Sequence, residues 1–200
     1  MAYYVHLSKS WPDFTWDSDE LLEVLAAVRA KQGRLLGNLE SLGFGFREEA
    51  SLRTLTLDVV KSSEIEGENL PEDQVRSSIA RRLGLEVAGV DVTDRNVEGV
   101  VEMMLDATQN YERTLTRERL FGWHAALFPT GYSGTSRIFV GGWRDDSEGP
   151  MQVVSGPLGR RRVHFQAPEA SRLEKEMERF TDWFNDPGKI DSVLKAEVAH

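Results

Sequence analysis

Apolar residues recur at helical spacing from residue 18 onward. Leu21, Leu22, Val24, Leu25, Val28, Leu35, Leu36, Leu39 and Leu42 predict one long amphipathic helix, with Ser18 as its cap and Gly43 as its stop. A second helix is expected from about Glu48 through Leu52, Leu55, Val59 and Val60 to Ile65, where Gly67 stands as a left-handed stop residue. Pro71 suits the first turn of a third, which carries Val75, Ile79 and Leu83 before Gly84. Val97, Val100, Val101, Met104 and Leu105 form the stripe of a fourth, running from about Asp94 to Tyr111. Thr116 can cap a fifth containing Leu120, Trp123, Leu127 and Phe128.

Between Pro129 and Pro168 the helical period stops and Gly, Pro and Ser multiply. Residues 151–155 and 161–165 read as short strands joined across Gly156-Pro157-Leu158-Gly159. Leu173, Met177, Phe180, Trp183 and Phe184 restore a helix over 169–185, and a last one starts near Asp191 with Val193, Leu194 and Val198. The fold expected is mainly α, a helical bundle with one β-hairpin. The first fifteen residues alternate loosely around Trp11-Pro12 and predict an extended lead-in whose aromatics pack on the body. The final helix meets His200 without a capping residue, a glycine or a return to polar sequence, from which we expect an interrupted fold. No internal repeat, low-complexity segment or clear linker breaks the pattern.

Composition narrows the function classes. With 200 residues, 40% of them hydrophobic, the chain can bury roughly 70% of its unfolded surface, so disorder is not expected. The 24 Lys and Arg against 33 Asp and Glu leave a net charge of −9, the wrong sign for broad binding to a phosphate backbone. The absence of cysteine removes disulfides, thiolate metal sites and cysteine nucleophiles. No apolar run approaches the ~18 residues of a membrane span. The opening residues Ala2-Tyr3-Tyr4-Val5-His6 lack the basic and apolar regions of a signal peptide, so a cytoplasmic location is expected.

The most informative segment is Ser62-Ser63-Glu64-Ile65-Glu66-Gly67-Glu68-Asn69. Ser62 and Glu66 lie four apart and share one face of a continuing helix. Glutamates at a helix C-terminus oppose the macrodipole, at about 0.3 to 1 kcal/mol each when exposed. A local rule broken in this way marks either a solvated acidic turn or a carboxylate placed to meet a cation. Elsewhere the signals are weaker. His124 lies on an apolar face and reads as a structural, hydrogen-bonded histidine; His6, His164 and His200 lack metal-ligand spacing. Gly131 and Gly134 invite a phosphate-loop reading, yet no Gly-Lys-Ser/Thr follows and a helix precedes them. Arg160, Arg161 and Arg162 suit a solvated turn or contacts to an acidic target.

Ser62-x-x-x-Glu66-Gly67 resembles the inhibitory motif of Fic-domain proteins, in which Ser or Thr precedes a Glu-Gly or Glu-Asn pair at that spacing. Trp11-Pro12-Asp13-Phe14 and the stretch Arg76-Ser77-Ser78-Ile79-Ala80-Arg81-Arg82-Leu83-Gly84 look like the helical region preceding one group of bacterial Fic domains. Leu120-Phe121-Gly122-Trp123-His124-Ala125-Ala126-Leu127-Phe128 is similar to the Leu-His-x-x-Leu-Phe helix of that core, and Gly142-Trp143-Arg144 to its Gly-x-Tyr-Arg element.

The resemblance implies transfer of AMP from ATP to a hydroxyl side chain of a target protein. It implies an N-terminal helical region over 1–90 and the front part of an incomplete Fic core over 91–200. Ser62, Glu66 and Gly67 would be inhibitory, Ser62 orienting Glu66. Met151, Gln152, Val153 and Val154, with Arg162, Val163 and His164, would form the flap that holds the target. ATP and Mg would belong to the full-length protein, because the family's catalytic loop, His-Pro-Phe-x-Asp/Glu-Gly-Asn-Gly-Arg, has no counterpart: no His-Pro pair occurs in the sequence. This chain is therefore expected to be inactive and to contribute no catalytic residue or metal ligand. The alternative from the residues alone is a helical protein-binding or oligomerisation module, its helix over 18–42 docking a partner helix; a homodimer would cover apolar surface around Leu173, Phe180, Trp183 and Leu194.

Overall fold

Asp17 sets the first long helix: its Oδ1 accepts from the Asp19 and Glu20 amides at 2.9 and 3.3 Å, satisfying donors that a helix start leaves open. The cap is thus Asp17 rather than Ser18, which is the first residue of α1 (Ser18–Glu40). The computed structural model describes residues 4–41, 44–86, 94–133, 135–147, 149–157, 159–188 and 190–200, with Phe44, Gly45 and Ser136 described by backbone alone. The expected stop at Gly43, together with Leu42, lies outside the described residues.

α2 (Phe44–Ile65) begins earlier than the pattern around Glu48 suggests. α3 (Glu72–Arg82) follows Pro71 at its N-cap, with Glu72 and Asp73 in the first turn and Arg81 and Arg82 in the last, as the macrodipole favours. α4 (Arg95–Gln109) is capped by Asp94, and α5 (Arg117–Leu127) by Thr116, each accepting a backbone amide with its side chain. Gly131, at φ +74°, turns the chain into a small hairpin of β1 (Tyr132–Ser133) and β2 (Ser136–Arg137). A short strand pair, not a helix, therefore follows this glycine, unlike a phosphate loop; Gly134 lies outside the described residues.

β3 (Gln152–Ser155) and β4 (Arg162–Gln166) make the predicted antiparallel hairpin, β3 starting one residue later than expected and β4 shifted by one residue. Gln152 faces Gln166 and Ser155 faces Arg162, with a register shift between Val153 and Val154. α6 (Ala170–Asn185) and α7 (Ser192–Ala199) complete the chain, the latter capped by Asp191. The fold is mainly helical with a hairpin, as the sequence predicts. No helix among the described residues is long and apolar enough to cross a membrane.

The chain divides into two compact units, Arg29–Gly141 and Met1–Val28 with Gly142–His200. In the first, Leu52 and Val59 of α2, Val75, Ile79 and Ala80 of α3, and Val97 and Val101 of α4 form one buried core. Fully burying such side chains stabilises the unit by about 1.5 to 3 kcal/mol each. Gly99 lets α4 and α5 meet closely: a Cβ there would lie 1.8 Å from the Ala126 carbonyl oxygen.

The second unit is tied differently. Its lead-in is not extended throughout but forms a 3-10 turn over Val5–Leu7, which buries His6. The His6 ring stacks on Tyr4 and meets the edge or face of Phe165 from β4 at 5.7 Å. Trp11 donates its indole N–H to Glu176 of α6 at 3.4 Å. The lead-in aromatics therefore pack on the body, as expected.

Candidate functional site

Two places in the chain carry the residues that the sequence singles out. The first is the end of α2. Gly67 adopts φ +86°, a conformation open to glycine and costly for a residue with a Cβ. The Gly67 amide donates to the Glu64 carbonyl at 3.0 Å and the Glu68 amide to the Ser63 carbonyl at 2.8 Å. These two bonds are the Schellman closure, which satisfies carbonyls that the helix end would leave open. Glu66 thereby occupies the capping position, its amide 3.3 Å from the Ser62 carbonyl.

The backbone at Glu66 is fixed, yet its side chain is exposed and makes no ion pair or hydrogen bond among the described residues. Ser62 is exposed one turn earlier, and no side-chain hydrogen bond joins it to Glu66. Glu68 is likewise exposed with no ion pair among the described residues, whereas Glu64 behaves otherwise. Glu64 bonds Lys61 at 2.5 Å, and that contact holds the lysine above its ordinary pKa. Ile65 is 83% exposed beside the free carboxylate, so the helix end presents one anionic and one apolar group together.

The second place is the β3–β4 hairpin. Every residue of β3 is exposed, as are Arg162, Val163, His164 and Phe165 of β4. Met151, just before β3, accepts the Ala167 amide through its carbonyl at 2.9 Å and is itself exposed. Gln152 donates to Gln166 across the ladder at 2.8 Å, and the Ser155 hydroxyl and His164 Nε2 share a hydrogen bond of 2.6 Å. The Ser155 contact was not legible in the sequence, because it depends on the register shift before Val154. The base of the hairpin is clamped. Arg144 bonds the Asp146 carboxylate and the Pro168 carbonyl, while Asp146 Oδ2 accepts the first amide of α6, that of Ala170, at 2.6 Å.

Residues 4–85 match a family described as a domain of unknown function (DUF4172). The match covers α1, α2 and α3 and contains Ser62, Glu66 and Gly67; the hairpin lies beyond it. No curated protein matches the chain.

The helix resembling the Leu-His-x-x-Leu-Phe element is α5. Its His124 packs on Phe128 with ring centroids 5.1 Å apart, and its Nδ1 accepts the Gly141 amide at 3.4 Å, in keeping with a structural role. The strongest polar cluster here was missed in the sequence. Arg119 donates to Asp106 Oδ2 at 2.7 Å and to the carbonyls of Arg113, Asp106 and Asn110; the Trp123 indole donates to the same carboxylate oxygen at 2.8 Å. The hydrogen bond from Arg119 is the main cause that holds the Asp106 carboxyl below its ordinary pKa, against the opposing effect of burial. Glu98 is pushed up by burial, but the bond from Arg82 and the charges of Arg82 and Arg81 help to outweigh that and lower it. Both carboxylates stitch helices together. Among the described residues no group of three or more His, Cys, Asp or Glu side chains could hold a metal ion.

Proposed function

We propose that this chain carries the inhibitory and target-holding parts of a Fic-type protein adenylyltransferase acting in the cytoplasm. The reaction is attack of a target hydroxyl on the α-phosphorus of ATP, forming the phosphodiester to AMP and releasing pyrophosphate. The observation that carries this reading is Glu66: a carboxylate on a backbone fixed by the Gly67 turn, with no partner among the described residues. In an inhibited state it pairs with the arginine of the catalytic loop that otherwise holds the γ-phosphate. That contact is charge-assisted and suited to bidentate geometry. Occupying the arginine displaces the triphosphate, and a misplacement of about 1 Å can cost about 100-fold in rate.

No His-Pro pair occurs in the sequence, so in this reading the loop, with the groups that hold ATP and Mg, would be supplied from outside these 200 residues. This chain alone is inactive in this account. The hairpin serves as the flap, offering main-chain hydrogen bonds to an extended target segment. The test is label transfer by the full product of the reading frame that contains this chain, carrying Glu66→Gly. Label from α-phosphate-labelled ATP should enter protein, and label from the γ-phosphate should not; entry from the γ-position would instead indicate a kinase reaction.

A second reading has its own observation. No residue of α1 is buried, and Leu22, Val24, Leu35 and Leu36 are 66, 60, 60 and 52% exposed. Exposed apolar side chains on a helix of this length, Leu22 and Leu36 on one side and Val24 and Leu35 on the other, suit a partner helix, and a second copy of the chain would supply one. Size-exclusion chromatography across concentrations tests it: a mass that doubles, and returns to one chain on Leu35→Glu, supports the homodimer, whereas one chain throughout rejects it.

A further inference from the structure

Residues 149–168 contain Arg160, Arg161, Arg162 and His164 but no Asp or Glu, giving a local charge of +3 with His neutral in a chain whose net charge is −9. The three arginines are exposed, and their side chains meet no carboxylate among the described residues. Arginines packed against the helices behave differently in several places. Arg82 closes on Glu98, Arg119 on Asp106 and Arg172 on Glu176.

Their placement is set by a tight turn. Gly156 and Gly159 take φ +95° and +88°, and a Cβ on Gly156 would meet the Arg160 carbonyl oxygen at 2.7 Å. The turn delivers the arginines to the start of β4, beside the Ser155–His164 pair. Among the described residues no third strand pairs with β3 or β4, so main-chain donors and acceptors remain on the outer edges of the ladder.

We infer that this hairpin is selective for acidic extended peptide segments, its strand edge binding their backbone and Arg160, Arg161 and Arg162 binding their carboxylates. The inference rests on the hairpin being the target-holding element. Arginine suits the role because its planar fork takes a carboxylate in two parallel hydrogen bonds. A nucleic acid is the poorer occupant. It would gain few phosphate contacts from one run of three arginines and would meet the acidic remainder of the chain, whereas a short peptide engages the hairpin alone.

The test uses this chain, isotope-labelled for amide resonances, with eight-residue peptides of alternating Thr and Glu, Thr and Gln, or Thr and Lys, and an oligothymidylate of equal length. The Glu peptide should shift amides within 152–166 and bind at least about tenfold more tightly than the Gln peptide at low salt. Joint replacement Arg160→Gln, Arg161→Gln and Arg162→Gln should remove that difference, and joint replacement by Lys, which keeps the charge but not the fork, should retain only part of it. An unchanged thermal transition shows that the variants fold. Equal binding of Glu and Gln peptides, shifts confined to residues outside 152–166, or oligothymidylate binding as tight as the Glu peptide would each overturn the inference. The outcome is separable from AMP transfer: acidic selectivity without label transfer leaves the hairpin's preference standing and removes the enzyme, and label transfer without selectivity does the reverse.

Discussion

The unit Arg29–Gly141 and the unit of Met1–Val28 with Gly142–His200 are stabilised by different means. All the described buried apolar residues, from Leu52 to Leu115, lie in the first. In the second, the buried residue among those described is His6, and order comes from ring contacts to Phe165, the Trp11–Glu176 bond and the Arg144–Asp146 clamp. Apolar burial resists local opening, whereas a unit held mainly by part-buried polar and ring contacts opens at lower cost. The helix that ends at Glu66 is thus anchored in the buried core, whereas the strands of the hairpin are exposed.

Truncation of the core should have the largest effect. Leu52→Ala is expected to cost about 3 kcal/mol, or roughly 10 °C in thermal midpoint, while Val153→Ala on the hairpin costs less than about 0.5 kcal/mol. Equal losses in the two variants would break the contrast. Asp106→Ala comes next, at about 2 kcal/mol, because Arg119 and the Trp123 indole both lose an acceptor. The folded pKa of Asp106 lies below its ordinary value. Its contribution is therefore complete above the unfolded value of about 3.9 and is lost as pH falls through the folded one. Asp106→Asn should flatten this part of the acid limb in thermal melts recorded from pH 5 downward.

Gly99→Ala should cost about 1 to 3 kcal/mol, since α4 and α5 must part to admit the methyl group. Arg144→Ala should leave the thermal midpoint of the first unit unchanged. It should raise amide exchange in the hairpin and at Ala170 by about tenfold, the loss of a charge-assisted contact worth about 1.4 kcal/mol. The smallest effect belongs to Glu66→Gly, which should change stability by less than about 0.5 kcal/mol because the side chain is exposed and unpaired. A larger loss would make Glu66 a structural residue.

Elements with a sustained period were legible in the sequence. The stripes through Leu52 and Val59, through Val75 and Ile79, and through Val97 and Val101 each proved to be a core-facing side of a helix. Gly67 could be read as a stop because left-handed backbone favours glycine. Errors arose where one residue decides. Asp17 displaced Ser18 as cap because its carboxylate reaches two amides. The early start of α2 was hidden by Gly43 and Gly45, which lower helix propensity without forbidding a helix. Strands of two residues, such as β1 and β2, are too short to carry a period. The Arg119–Asp106 and Arg144–Pro168 contacts span 13 and 24 residues and depend on tertiary packing that local pattern does not encode. For the candidate site, Ser62, Glu66 and Gly67 were visible as a motif, but the freedom of the carboxylate was visible only in the structure.

The central claim is that Glu66 is held in place to inhibit rather than to stabilise. Its most direct test is the initial rate of protein labelling from α-phosphate-labelled ATP by the full product of the reading frame, native against Glu66→Gly. The account predicts labelling about 100-fold faster in the variant, the rate lost to a misplaced triphosphate. Equal rates, or no labelling in either protein, would contradict it.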